Sequence, residues 1–231
     1  MKFASLLGAM AAIATLGAAS VASADITVGS NDSGNCYPFN CNDSGTSTGQ
    51  SIDYQQAYSA SAFSGPVTIN SVTFTQWDTS AQTVLNGDYA ITFGTVATGV
   101  GASYPIAATN IQSFFSGHLG GAYSGTFTIN GAGYNYDPAN GDLVMEVVAS
   151  NQDVVPNGEG NGYFQADYTG KVTTRAYLLS PSMQASGTGA LVTTFGTSAA
   201  PEPATWALMT LAVGGMGGAL RVRRRRVAAA A

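Results

Sequence analysis

The chain holds one histidine, two cysteines and thirteen acidic residues, and these few groups bound the chemistry open to it. A serine hydrolase needs a histidine base beside its nucleophile, and His118 is the only residue of that type. It stands in Ser116-Gly117-His118-Leu119-Gly120-Gly121 with no nucleophile-elbow motif anywhere in the chain, and it reads as a loop histidine. A glycosidase needs two carboxylates about 5 to 9.5 Å apart, for which the sequence offers Glu146 with Glu159. Glu159 sits among glycines and reads at least as well as a solvated charge. The expectation is a protein without catalytic residues.

The two cysteines lie in Asn31-Asp32-Ser33-Gly34-Asn35-Cys36-Tyr37-Pro38-Phe39-Asn40-Cys41-Asn42-Asp43-Ser44-Gly45, flanked on both sides by Asn-Asp-Ser-Gly. In an exported chain Cys36 and Cys41 most simply form a disulfide around Pro38, which leaves no thiolate nucleophile. Structural zinc would want four ligands, more than two cysteines and one histidine supply. Asp32 and Asp43 are oxygen ligands of the kind calcium takes, but Asn-Asp-Ser-Gly is also ordinary turn chemistry, the preferred reading. No cofactor is expected, and calcium is the one cation these residues suit.

Aromatic faces stack on sugar rings, and Trp77, Tyr134, Tyr136 and Tyr163 fall in turn-rich stretches where such contacts form. The chain has eleven tyrosines, and strands also use tyrosine for packing, so core packing is the preferred reading and glycan stacking the alternative.

These residues must be positioned by strands. Charged residues are only 9% of the chain, helix-forming Lys, Glu, Arg and Gln are scarce, and no amphipathic run of helical length appears. Val67, Ile69, Val72 and Phe74 alternate with a slip at Asn70-Ser71 that suggests a bulge; Tyr89, Ile91 and Phe93 alternate cleanly, as do Phe127 and Ile129. Leu143, Met145 and Val147 with Val144 and Val148 fill both faces of one strand, the mark of a central position between layers. Residues 111–115, 172–179 and 191–195 are further strands. Asn86-Gly87-Asp88, Asn130-Gly131, Asn140-Gly141-Asp142, Asn157-Gly158 and Asn161-Gly162 read as turns between them. The fold class expected is all-β, an antiparallel β-sandwich, jelly-roll-like or immunoglobulin-like, over residues 25–197.

Both ends read as addresses. Residues 1–24 form a signal peptide for the Sec export machinery: Lys2, an apolar middle over residues 6–19, and the small-residue pattern Ala22-Ser23-Ala24 before Asp25. Residues 198–231 hold a linker, Pro201-Glu202-Pro203, an apolar run over residues 205–220, and an arginine-rich end over residues 221–226. Those 16 apolar residues are slightly short of the about 17 to 25 that span a bilayer, and Trp206 and the arginines extend their reach. The positive-inside rule places the C-terminus in the cytoplasm and the body outside.

The order Pro201-Glu202-Pro203, short hydrophobic helix, then Arg223-Arg224-Arg225-Arg226 resembles the PEP-CTERM sorting signal of Gram-negative bacteria. Two internal stretches, residues 54–74 and 134–144, are similar to segments that recur among exported PEP-CTERM proteins. The resemblance implies export, transient anchorage in the inner membrane, recognition and cleavage by an exosortase, and transfer to the cell surface or exopolysaccharide matrix. Without Lys2, Arg221 and the arginine block, the eight bases reduce to Lys171 and Arg175; without Glu202, the thirteen acids reduce to twelve. Residues 25–200 therefore carry a formal charge of −10. So acidic a body excludes nucleic acid as a partner. The role expected is structural or adhesive, with a carbohydrate-binding module, calcium-assisted or not, as the alternative and a glycoside-acting enzyme ranked below it.

Overall fold

A computed structural model describes residues 24–41, 50–78, 82–153, 162–180 and 183–199. Thirteen strands and two 3-10 turns make up its regular structure: β1 (Ala24–Val28), β2 (Ser33–Asn35), β3 (Gln50–Tyr58), β4 (Val67–Thr75), β5 (Gln82–Val96), β6 (Thr109–Tyr123), β7 (Thr126–Tyr136), β8 (Asp142–Gln152), β9 (Phe164–Asp167), β10 (Thr173–Ser180), β11 (Met183–Gly187), β12 (Ala190–Leu191) and β13 (Thr193–Ala199). All strand pairs are antiparallel. They form a six-stranded sheet of order β11-β10-β3-β8-β5-β6, a four-stranded sheet β1-β13-β4-β7, and a three-stranded sheet β12-β9-β2.

The two large sheets turn their apolar faces to one shared core. Ile69, Val72 and Phe74 of β4 and Phe195 of β13 meet Tyr54 and Tyr58 of β3, Tyr89, Ile91 and Phe93 of β5, and Leu143, Met145 and Val147 of β8. The alternation of these residues sends every second side chain inward. Aromatic rings interlock across the core, with Tyr58 and Phe195 edge to face at 4.9 Å and Phe93 and Phe114 at 5.0 Å. β8 is central, between β3 and β5. Its second apolar row is explained by the β5–β6 connection, where Val100, Ala102, Tyr104 and Ile106 fold over Val144, Ala57 and Ala176 on the outer face. Val148 lies beyond that cover and stays 37% exposed.

The slip at Asn70-Ser71 is a break in register of β4 against β7, between Ile69 and Ser71. Two expected turns prove to be irregularities inside long strands. Asn86-Gly87-Asp88 lies within β5, where pairing with β6 shifts between Val84 and Gly87, and Asn130-Gly131 lies within β7 opposite the β4 shift. Residues such as Asn and Gly serve turns and bulges alike, and here both neighbouring strands continue the ladder. Asn140-Gly141 does turn the chain, after the 3-10 segment Pro138–Asn140. Ser198 and Ala199, expected in the linker, belong to β13 and pair with Thr68 and Val67. Residues 191–195 divide between β12 and β13.

The small sheet closes one end of the core. Phe164 of β9 is fully buried among Phe39, Phe74, Tyr123 and Phe127, and Gln76, just past β4, bridges to it. Cys36 and Cys41 form the expected disulfide, with Cα atoms 5.2 Å apart, and the ring it closes inserts Phe39 into the same cluster. No helix among the described residues is long and apolar enough to cross a membrane. The signal-peptide residues before Ala24, Asp43, Glu159, Asn157-Gly158 and everything from residue 200 onward lie outside the described residues.

Candidate functional site

Of the four aromatics expected to offer faces to a sugar, the structure separates two from two. Tyr134 and Tyr136 are core residues, 3% and 1% exposed, and are withdrawn from that role. Tyr134 lies 5.3 Å from Phe93; Tyr136 meets Phe63 edge to face at 4.8 Å and donates its hydroxyl to the Gly141 carbonyl at 2.8 Å. Residues two apart on a strand share a face, and on this stretch of β7 that face is inward.

Trp77 and Tyr163 are each 41% exposed and come together although 86 positions apart in the chain. The Trp77 amide donates to the Tyr163 carbonyl at 2.8 Å. Both side chains lie over Gly34 of β2, where an added Cβ would stand 2.9 Å from the Tyr163 Cβ and 3.0 Å from the Trp77 Cδ1. A third aromatic, Tyr168, is 44% exposed just past β9, its ring over Gly189, where an added Cβ would meet Cζ at 2.9 Å. Buried Asn35 joins the two glycines: it follows Gly34 in β2 and its Nδ2 donates to the Gly189 carbonyl at 2.9 Å. Sequence reasoning missed Tyr168, Gly34 and Gly189. Gly34 sits inside the Asn-Asp-Ser-Gly repeat, whose turn chemistry hides that its missing side chain makes room for a ring.

Polar groups border this aromatic face. Gln165 pairs with Gly34 across the β2–β9 ladder, so both project to the same side, and exposed Asp78 follows Trp77. Asp32 is exposed and accepts from the Tyr168 amide at 3.3 Å. Asp25 lies in β1 opposite Gly196, and Ala24 opposite Thr197. No group of three His, Cys, Asp or Glu side chains among the described residues is placed to hold a metal.

A second feature is a shallow open depression of about 380 Å³ on the outer face of the six-stranded sheet, lined by Asp88, Ser116, His118, Val148 and Ser150 among others. His118 is a strand residue of β6, not a loop residue, and stands opposite Asp88 of β5. Its Nδ1 is 3.5 Å from Asp88 Oδ1, at the limit of a hydrogen bond, and both side chains are at least 60% exposed. The Asn151 side chain donates to Asp88 Oδ2 at 2.9 Å; that bond, then the one from His118, holds the Asp88 carboxyl below its ordinary range. With both side chains largely in solvent, His118 and Asp88 form a solvated cross-strand pair. Glu146 is held by Gln55 at 2.8 Å and Thr92 at 3.3 Å. Near it, burial raises the Asp53 carboxyl, opposed by the hydroxyl of Tyr104 at 2.8 Å and reinforced by Glu146.

Compared with family models, with curated proteins and with solved structures, the chain finds no match.

Proposed function

We propose that the chain is an exported β-sandwich protein, sorted and processed by an exosortase of the PEP-CTERM type, with a non-enzymatic structural or adhesive role at the cell surface or in the exopolysaccharide matrix. The observation that carries this reading is the join between body and tail. β13 runs to Ala199 as an inner strand between β1 and β4, and Pro201-Glu202-Pro203 begins two positions later. The sheet of the body thus runs to within two positions of the tripeptide, whose two prolines are residues that disfavour helix. At the other end the body begins close to the expected cleavage point. β1 starts at Ala24, the last residue of the expected signal peptide, and pairs with β13, so both ends of the body leave from neighbouring strands. The Cys36–Cys41 disulfide fits an oxidising compartment outside the cytoplasm.

Mass spectrometry of the surface or secreted form tests the reading. The mature protein is expected to lack Trp206 and all that follows, and Glu202→Ala or neutral residues at Arg223, Arg224, Arg225 and Arg226 should accumulate unprocessed precursor. Recovery of intact C-terminal peptides from that form would leave a plain membrane-anchored protein and refute sorting.

A further inference from the structure

Six large hydrophobic side chains stand exposed among the described residues: Trp77, Ile111, Val148, Tyr163, Tyr168 and Met183. The three aliphatic ones are scattered over β6, β8 and β11 of the six-stranded sheet. The three aromatic ones gather on the small sheet, around Gly34 and Gly189. We infer that Trp77, Tyr163 and Tyr168, seated on these two glycines, form a binding face for an uncharged polysaccharide chain. The inference deepens the surface and matrix role proposed above and names the class of polymer met there.

The seats are the first argument. A ring that binds sugar needs one face held and the other free. The absence of a Cβ at Gly34 admits the Trp77 ring and the Tyr163 Cβ, and at Gly189 it admits the Tyr168 ring, while each of the three side chains keeps 41 to 44% of its surface exposed. Gly189 has φ +81°, a conformation side-chain-bearing residues rarely adopt, so its place under Tyr168 is held by backbone geometry as well. The Asn35 bond to the Gly189 carbonyl fixes one seat relative to the other. Rings already seated against the backbone have less freedom to lose when a ligand arrives.

The chemistry of the surroundings selects the occupant. Among the described residues the large hydrophobic side chains exposed here are aromatic, and the rim carries Gln165, Asp32 and Asp78. Rings against C–H faces and amide or carboxylate oxygens against hydroxyls match a sugar, which is apolar on its ring faces and polar at its edge. The two rim carboxylates and the body's charge of −10 repel a polyanion such as a uronate polymer. Of the body's two bases, Arg175 is engaged, 5.2 Å above the Tyr177 ring and donating to the Thr188 carbonyl beside Gly189, and Lys171 is exposed three positions past Tyr168, so one free base faces two rim carboxylates.

The chain has two tryptophans, Trp77 and Trp206, so the full chain carrying Trp206→Phe reports on this face alone through its fluorescence. It would be titrated with soluble mixed-linkage β-glucan, galactomannan and dextran as neutral probes, and with alginate as the anionic one. At least one neutral polymer should change Trp77 emission saturably, and alginate should not. Tyr163→Ala and Tyr168→Ala should each weaken that binding about tenfold or more. Gly34→Ala should do the same by displacing the Trp77 ring and the Tyr163 side chain; should that variant fail to fold, Tyr168→Ala, at an exposed position, carries the test. No response to any of the three neutral polymers would overturn the inference. So would tighter binding of alginate, or binding that changes less than about twofold in the Tyr163→Ala, Tyr168→Ala double variant. A chain that binds yet keeps its C-terminal peptides at the surface would spare this inference and sink sorting; a processed chain that binds nothing would do the reverse.

Discussion

Tyrosine does opposite work in two regions of this molecule. Inside the two large sheets, Tyr54, Tyr58, Tyr89 and Tyr136 are at most 1% exposed, and their hydroxyls end on named partners: Gln56 for Tyr54, Thr193 for Tyr58, the Leu85 carbonyl for Tyr89 and the Gly141 carbonyl for Tyr136. On the small sheet, Tyr163 and Tyr168 keep over two-fifths of their surface in water. Strand alternation decides the first group, because a ring on the inward row must be buried and its hydroxyl satisfied. Glycine marks the second, because Tyr163 and Tyr168 approach backbone at Gly34 and Gly189, where no Cβ intervenes. The same residue type therefore marks stability in one place and contact with the outside in the other.

The largest effect expected from this division is alkaline unfolding. Burial pushes the Tyr89 hydroxyl up to about 12 and raises Tyr54, Tyr58 and Tyr136 above the ordinary value of 10.0 as well. A tyrosine is neutral when protonated, so between pH 10 and the raised folded value the unfolded chain gives up the proton first, and rising pH favours unfolding. Stability is complete below pH 10 and is lost as pH climbs toward 12. For Tyr89 alone the loss is on the order of 2 to 3 kcal/mol, and several such groups together are comparable with the about 5 to 15 kcal/mol that holds an ordinary domain. Circular dichroism followed with phenolate absorbance should show one cooperative transition in that window. Ionisation of all tyrosines near pH 10 with the fold intact would break the comparison.

Next in size is the ring between Cys36 and Cys41, where the two regions meet. Phe39, fully buried, lies 5.1 Å from Phe74, 5.7 Å from Tyr89, 5.5 Å from Phe127 and 6.1 Å from Phe164. Phe39→Ala should lower stability by about 3 to 5 kcal/mol, the cost of an unfilled aromatic site. The disulfide itself matters less. Loop-closure entropy grows with loop length, so the Cys36→Ser, Cys41→Ser pair should lose less than about 3 kcal/mol. The Asn40 amide to the Cys36 carbonyl, the Leu85 amide to the Phe39 carbonyl and Gln152 to the Pro38 carbonyl would remain. Urea midpoints of the two variants measure the order; a costlier loss of the disulfide would mean that the bridge, not the aromatic plug, secures this end.

Much of the framework was legible in the sequence because period-two alternation is a direct image of which face is buried. Tyr89, Ile91 and Phe93 and the slip at Asn70-Ser71 read correctly for that reason, and Leu143 to Val147 announced a strand covered on both sides. The turn signals Asn86-Gly87 and Asn130-Gly131 misled because a bulge and a turn use the same residues, and only the partner strands distinguish them. Tyr134 and Tyr163 could not be sorted, since both sit in Gly- and Asn-rich sequence and their facing depends on register. The pairing of Trp77 with Tyr163, and of Asp88 with His118, is long-range and exists only once strands are laid side by side.

The smallest effect sharpens the comparison most. If the exposed tyrosines exist for contact, removing one should cost the fold little: Tyr168 presents 44% of its surface to water, and its hydroxyl reaches the Gly34 carbonyl only at 3.5 Å, the limit of a hydrogen bond. Tyr168→Ala should therefore shift stability by no more than about 1 kcal/mol. Tyr134→Ala, a residue of the same type that is 3% exposed and lies against Phe93, should lose about 3 kcal/mol or more. Urea unfolding of the two variants beside the unchanged chain gives the ratio directly. Equal losses would make Tyr168 a structural residue whose exposure is incidental, whereas a near-silent Tyr168→Ala that still weakens polysaccharide binding separates what holds the fold from what faces outward.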